Sequence, residues 1–189
     1  MMFKGALVVA VSVLLLNHPG AADEIDGVNV PGSIPSGKVK LLLNGAGYRR
    51  YDRMVRVYIG SLYLMKKSSD SRSIIETDEP MAIRLQITSD MITDKKMADA
   101  TRESFTHTTE VKFTAIEERV AKFISVFDEA IKKNDVYELV YEPGKGVSAS
   151  KNGALKVTIP GLDFKKALFG IWLSDEPVDA KLKVEMLGR

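Results

Sequence analysis

The chain contains no cysteine. That excludes disulfides, thiolate metal sites and a thiol nucleophile, and leaves packing alone to hold the fold together. Histidine is nearly absent as well: His18 lies in the first twenty residues, and His107 sits at the end of a polar helical stretch. One histidine is too few for a zinc site built on histidines and a poor basis for a Ser-His-Asp triad, so His107 reads as surface detail and no metal is expected. There is no Walker loop, no Rossmann fingerprint and no CxxC; Gly45-Ala46-Gly47 lacks a third glycine and a following helix, so no cofactor is expected. Charge of one sign is lacking too. With 27 Lys+Arg against 25 Asp+Glu and no basic tail, nothing drives the chain toward nucleic acid or an anionic membrane. No internal repeat or low-complexity segment interrupts it.

What is present begins with an export pattern. Lys4 is followed by an uncharged run over 5–16, then Asn17-His18-Pro19-Gly20-Ala21-Ala22 ahead of the acidic Asp23 and Glu24. A basic start, a short apolar core, a helix-breaking proline and small residues make a secretory signal peptide, with cleavage expected near Ala22. The run falls short of the about 20 apolar residues that span a bilayer, and no other window approaches that length, so no membrane span is expected in the mature chain. Residues 1–22 are thus read as signal peptide and 23–189 as one domain. An exported chain without disulfides fits the periplasm of a bacterium.

The stretch LLLNGAGYRRYDRMVRVYIGSLYL, residues 41–64, organises the rest. A strand over 38–43 is expected to end in a tight turn at Asn44-Gly45-Ala46-Gly47, because glycine accepts φ > 0 without steric cost. Arg49 would then stand just past a bend. Val55, Val57 and Ile59 alternate with Arg56, Tyr58 and Gly60, a period of two that gives a strand one apolar face and one on which Arg49 and Tyr58 could meet. Ahead of this, 25–35 reads as an extended lead-in with turns at Pro31-Gly32 and Pro35-Ser36-Gly37.

Met81, Ile83, Leu85 and Ile87 mark a half-buried strand. A helix capped by Thr93 places Met97, Ala98, Thr101 and Phe105 on one side, and a second, opened by the capping box Thr114-x-x-Glu117, carries the stripe Ile116, Val120, Phe123, Ile124, Phe127 and Ile131. Tyr137, Leu139 and Tyr141 alternate in the next strand; strands over 147–151 and 154–159 follow, joined by a type I′ turn at Asn152-Gly153. Asp163 can cap a helix holding Leu168, Ile171 and Trp172, stopped by Glu176-Pro177, and an amphipathic stretch over 178–187 closes the chain. This order predicts an α+β fold with a mostly antiparallel sheet and helices on one face.

LNGAGYR followed by VYIGSLYL, with Ala167-Leu-Phe-Gly-Ile-Trp-Leu-Ser-Asp175 near the end, resembles the two blocks of the chalcone isomerase family. The resemblance covers roughly 27–188 and implies the open-faced β-sandwich of that family. It also implies that Arg49 stands where chalcone isomerases hold the substrate oxyanion during ring closure. In the related fatty-acid-binding members an arginine and a tyrosine hold a carboxylate, and Arg49 and Tyr58 fill those places. The rest of the isomerase set departs: Tyr58 replaces a threonine, 96–103 has no Tyr-to-Asn pair, and the late serine or threonine position falls near Ile171. Efficient chalcone cyclisation is therefore not expected.

Three readings follow. The first is a non-enzymatic periplasmic protein binding a small amphipathic carboxylate such as a fatty acid, clamped by Arg49 and Tyr58, since a planar guanidinium fork and a phenol make a carboxylate clamp. Its pocket would be shaped by Met54, Met91, Met97 and Phe105. The second is an isomerase or intramolecular lyase on a chalcone-like phenolic substrate, with Arg49 stabilising an oxyanion and Tyr58 relaying a proton. The third is an interaction protein whose pocket is filled by its own side chains, the Arg49-Tyr58 pair being a buried bond between strands. Arg50, Arg53 and Arg56 read as a solvated hairpin tip.

Overall fold

A computed structural model describes residues 22–51, 54–107 and 113–189. Residues 1–21 of the expected signal peptide over 1–22, and the hairpin-tip residues Asp52 and Arg53, lie outside the described residues.

The lead-in is not merely extended. β1 (Asp23–Ile25) and β2 (Val28–Val30) form a small hairpin through Asp26 and Gly27, at φ 49° and 81°, the positive pair that a type I′ turn requires. A seven-stranded antiparallel sheet follows in strict chain order: β3 (Ser33–Ser36), β4 (Val39–Tyr51), β5 (Val55–Leu64), β6 (Met81–Ile87), β7 (Val136–Glu142), β8 (Gly146–Lys151) and β9 (Ala154–Ile159). It curls into a half-barrel, so that β3 reaches β7. The Asn152-Gly153 turn has φ values of 51° and 79°, as the sequence required.

Helices α1 (Ser71–Glu76), α2 (Asp94–His107), α3 (Phe113–Ile124), α4 (Leu162–Leu173) and α5 (Ala180–Met186) gather on one side, with a 3₁₀ turn, Ser125–Phe127, extending α3. The α+β open-faced sandwich expected from the sequence is thus the observed fold. Thr93 caps α2 as expected, its Oγ1 accepting the Lys96 N–H. Thr114, however, lies inside α3 and not at its cap, and Asp163 sits in the first turn of α4, whose N-cap is Gly161. Asp163 instead pairs with Arg119 at 2.6 Å, fastening α4 to α3.

β5 explains the two cores. Tyr58, Leu62 and Leu64 point to the helical side and join Ile83, Leu85, Leu139, Phe105, Phe123 and Phe164, while Ile59 and Tyr63 point the other way, to Val30, Ile34 and Leu41 under the first hairpin. From Val57 onward both faces of this strand are therefore dry, each large apolar side chain contributing about 1.5–3 kcal/mol. Phe105, Phe123 and Phe164 pack ring on ring at 5.6–6.2 Å.

The glycine motif corrects the sequence reading. Asn44 to Gly47 form no turn: β4 runs unbroken through them, with a bulge between Leu43 and Gly45, and neither Gly45 nor Gly47 has positive φ. They are glycine because α5 lies directly on them. A Cβ at Gly45 would stand 2.2 Å from the Glu185 carbonyl oxygen, one at Gly47 would strike the Glu185 side chain, and one at Gly60, opposite Gly47 on β5, would touch Leu182. Asn44 completes the seat, its Nδ2 donating to the Met186 carbonyl at 2.9 Å.

Candidate functional site

Beyond the glycine seat the same strand face regains side chains, and a cavity opens there between sheet and helices. Its volume is about 670 Å³, within the range of about 300–1,000 Å³ usual for small-ligand pockets. Val57, Leu85 and Leu139 form the sheet wall; Met97 from α2, Phe123 from α3 and Ile171 from α4 form the helical wall. The cavity beside Arg49 removes the reading of a pocket filled by the protein's own side chains.

Arg49 and Tyr58 are directly opposed partners in the β4–β5 ladder, and both line this cavity. They meet because they share a face of adjacent strands, not because a bend delivers the arginine. Among the described residues they do not bond to one another, so the expected alternative of a direct inter-strand bond does not hold. Tyr58 is buried, and its hydroxyl oxygen accepts the Trp172 indole N–H at 3.0 Å. Burial pushes its pKa up; the Trp172 bond and the Arg49 charge act the other way without reversing it. The phenol therefore stays protonated near neutral pH and keeps its O–H as a donor.

Arg49 keeps 26% of its side chain exposed. Its Nη1 donates to the Arg50 carbonyl oxygen and lies 3.6 Å from Asp179 Oδ2. Among the described residues no hydrogen bond engages Nε or Nη2. A bulge between Arg49 and Arg50 frees the Arg50 N–H, which Asp179 Oδ2 accepts at 3.0 Å. Asp179 is also the N-cap of α5, its Oδ1 accepting from the N–H groups of Lys181 and Leu182. Burial raises the Asp179 pKa, but the N–H groups of Arg50, Leu182 and Lys181 together with the Arg49 charge outweigh it, so the carboxyl lies below the usual range.

The other arginines separate from this site. Arg50 donates to the Tyr48 carbonyl oxygen at 2.8 Å and leans toward Glu185; Arg56 stacks on the Tyr48 ring at 4.5 Å and pairs with Asp26 on the surface. Of the residues expected to shape the pocket, Met97 lines its interior and Met91 its rim, whereas Met54 is 88% exposed and away from it, and Phe105 stands behind Phe123. His107 is exposed as expected, yet lies on the rim. Among the described residues no cluster of acidic or histidine side chains has the arrangement of a metal site, and no helix is long and apolar enough to cross a membrane.

Trp172 and Asp179 were missed by sequence reasoning as parts of the site. An indole N–H inside an apolar helix needs a partner, and an aspartate just before a short amphipathic helix is a cap; both signals were in the chain.

No curated protein matches the chain. Among solved structures, a fatty-acid binding protein of Arabidopsis thaliana is similar at 20% identity with a TM-score of 0.74, over 88% of this chain and 96% of that one. At that identity the likeness speaks for the fold. Residues 22–188 match the family described as chalcone isomerase-like. A match over nearly the whole described chain, on the same curled sheet and helical cover, means that this protein belongs to the chalcone isomerase-like family.

Proposed function

We propose that the protein binds a small amphipathic carboxylate such as a fatty acid, without catalysis, holding the head group with Arg49 and Tyr58 and the tail among Val57, Leu85, Phe123 and Ile171. The observation that carries this reading is the placement of a guanidinium whose Nε and Nη2 have no hydrogen-bond partner among the described residues, with a protonated phenol, on one wall of a largely apolar cavity of about 670 Å³. The similarity in fold to the fatty-acid binding protein of Arabidopsis thaliana supports the ligand class. Mass spectrometry of protein purified without denaturation tests it: copurified fatty acid is the expected result, and palmitate bound by Arg49→Ala as tightly as by the natural chain would remove the reading.

The same guanidinium, in a cavity that Trp172 and Phe123 also line, also suits a phenolic substrate, with Arg49 stabilising an oxyanion. Turnover of a chalcone-like substrate above the uncatalysed rate is what that second reading requires. The segment over 1–22 belongs to the proposal as a leader directing export to the periplasm. Sequencing of the mature N-terminus from a periplasmic extract is expected to begin near Asp23, and a retained leader would contradict it.

A further inference from the structure

Asp179 is held from two directions. Its Oδ1 accepts the N–H groups of Lys181 and Leu182, and its Oδ2 the N–H of Arg50, all at 3.0 Å. A carboxylate fixed by three backbone donors on two elements does not follow a neighbouring side chain when that side chain moves. Arg49 Nη1 stands 3.6 Å from it, beyond the about 2.7–2.9 Å of a charge-assisted hydrogen bond, so the guanidinium is attracted without being clasped. A head group that reaches Nε and Nη2 of Arg49 therefore arrives within a few ångströms of a second, immobile negative charge.

We propose that Asp179 is a fixed counter-charge that sets how strongly Arg49 takes an anionic head group, weakening carboxylate binding and so keeping the ligand exchangeable. This rests on the reading of Arg49 as the head-group anchor. With Asp179 in place the Arg49–Asp179 pair is electrically near neutral before the ligand arrives, and the pair with a bound carboxylate carries an excess negative charge. An uncharged amphiphile of the same chain length does not meet that penalty, and Asp179 thus narrows the preference of the pocket for an acid over an alcohol.

The test measures dissociation constants of palmitate and of its alcohol analogue for the natural chain and for Asp179→Asn. Asparagine caps a helix about as well as aspartate, and Asp179→Ser is a second uncharged cap should the amide disturb the Arg50 contact. Palmitate is expected to bind both variants about tenfold more tightly, the order of effect of one like charge nearby in a partly solvated site, with the alcohol unchanged. Palmitate affinity that stays the same or falls in both variants, while Arg49→Ala loses it, overturns this inference and leaves the carboxylate reading standing. If Arg49→Ala also binds palmitate normally, that reading fails and the role of Asp179 falls with it.

Discussion

Lys165 and Arg49 both carry positive charge beneath the helical layer, and their surroundings differ in the one respect that matters for function. Lys165 on α4 has no exposed surface, and its Nζ donates to the carbonyl oxygens of Ile74, Ile75 and Thr77 at 2.7–2.9 Å, with the Tyr141 and Phe169 rings flanking it. All three ammonium hydrogens are engaged, closing the C-terminal end of α1. Arg49 lines a cavity, and among the described residues no hydrogen bond engages its Nε or Nη2. A cation saturated by backbone carbonyls is a structural pin, whereas one that lines an apolar hollow is, on the proposal above, the anchor for a ligand.

Substituting the pin should give the largest effect. Lys165→Met strips three carbonyls of their buried donor and is expected to cost about 3 kcal/mol in chemical denaturation, with no selective loss of ligand affinity. Burial pushes the Lys165 pKa down to about 8 from 10.5. Between these values the unfolded chain holds a proton that the folded chain has shed, so this residue makes stability rise with pH across that window. Denaturation midpoints at pH 8 and 10 should therefore show a rise in the natural chain that is reduced in Lys165→Met.

Gly45→Ala comes next. Its Cβ would meet backbone atoms of Glu185, Met186 and Gly188, which cannot swing aside, so a loss of about 2 kcal/mol is expected by thermal unfolding. Gly47→Ala meets mainly the Glu185 side chain and should cost less. A Gly45→Ala protein as stable as the natural chain would mean that α5 does not rest on this strand.

Arg49→Ala reverses the pattern of Lys165→Met. Stability should change by under about 1 kcal/mol, while palmitate binding measured by calorimetry weakens by roughly ten- to a hundredfold, the value of a charged hydrogen-bonded pair. Tyr58→Phe gives the smallest effect. It removes one neutral donor and leaves the Trp172 N–H without its acceptor, so a loss of about 1 kcal/mol in both stability and binding is expected.

Locally encoded parts of this architecture were open to reading. The period-two alternation of β6 and β7, the Asn152-Gly153 turn and the stripe of α3 each depend on near neighbours in sequence. The local sequence does not say what the glycines at 45 and 47 accommodate, because α5 lies far along the chain: the Asn44 to Met186 bond spans 142 residues. Glycine in a strand signals close approach as well as a turn, and only the partner decides between them. Arg49 and Tyr58 were found for an incomplete reason: the ladder register opposes them, and no bend is needed. Asp179 escaped because its role depends on a bulge that frees the Arg50 N–H, and a bulge leaves no mark in residue type.

A crystal structure of the protein with palmitate tests the central claim most directly. The carboxylate should lie within hydrogen-bond distance of the Arg49 guanidinium and the Tyr58 hydroxyl, with the chain running between Leu139 and Phe123. A chain seated elsewhere, or a head group at the His107 rim with Arg49 untouched, would contradict it.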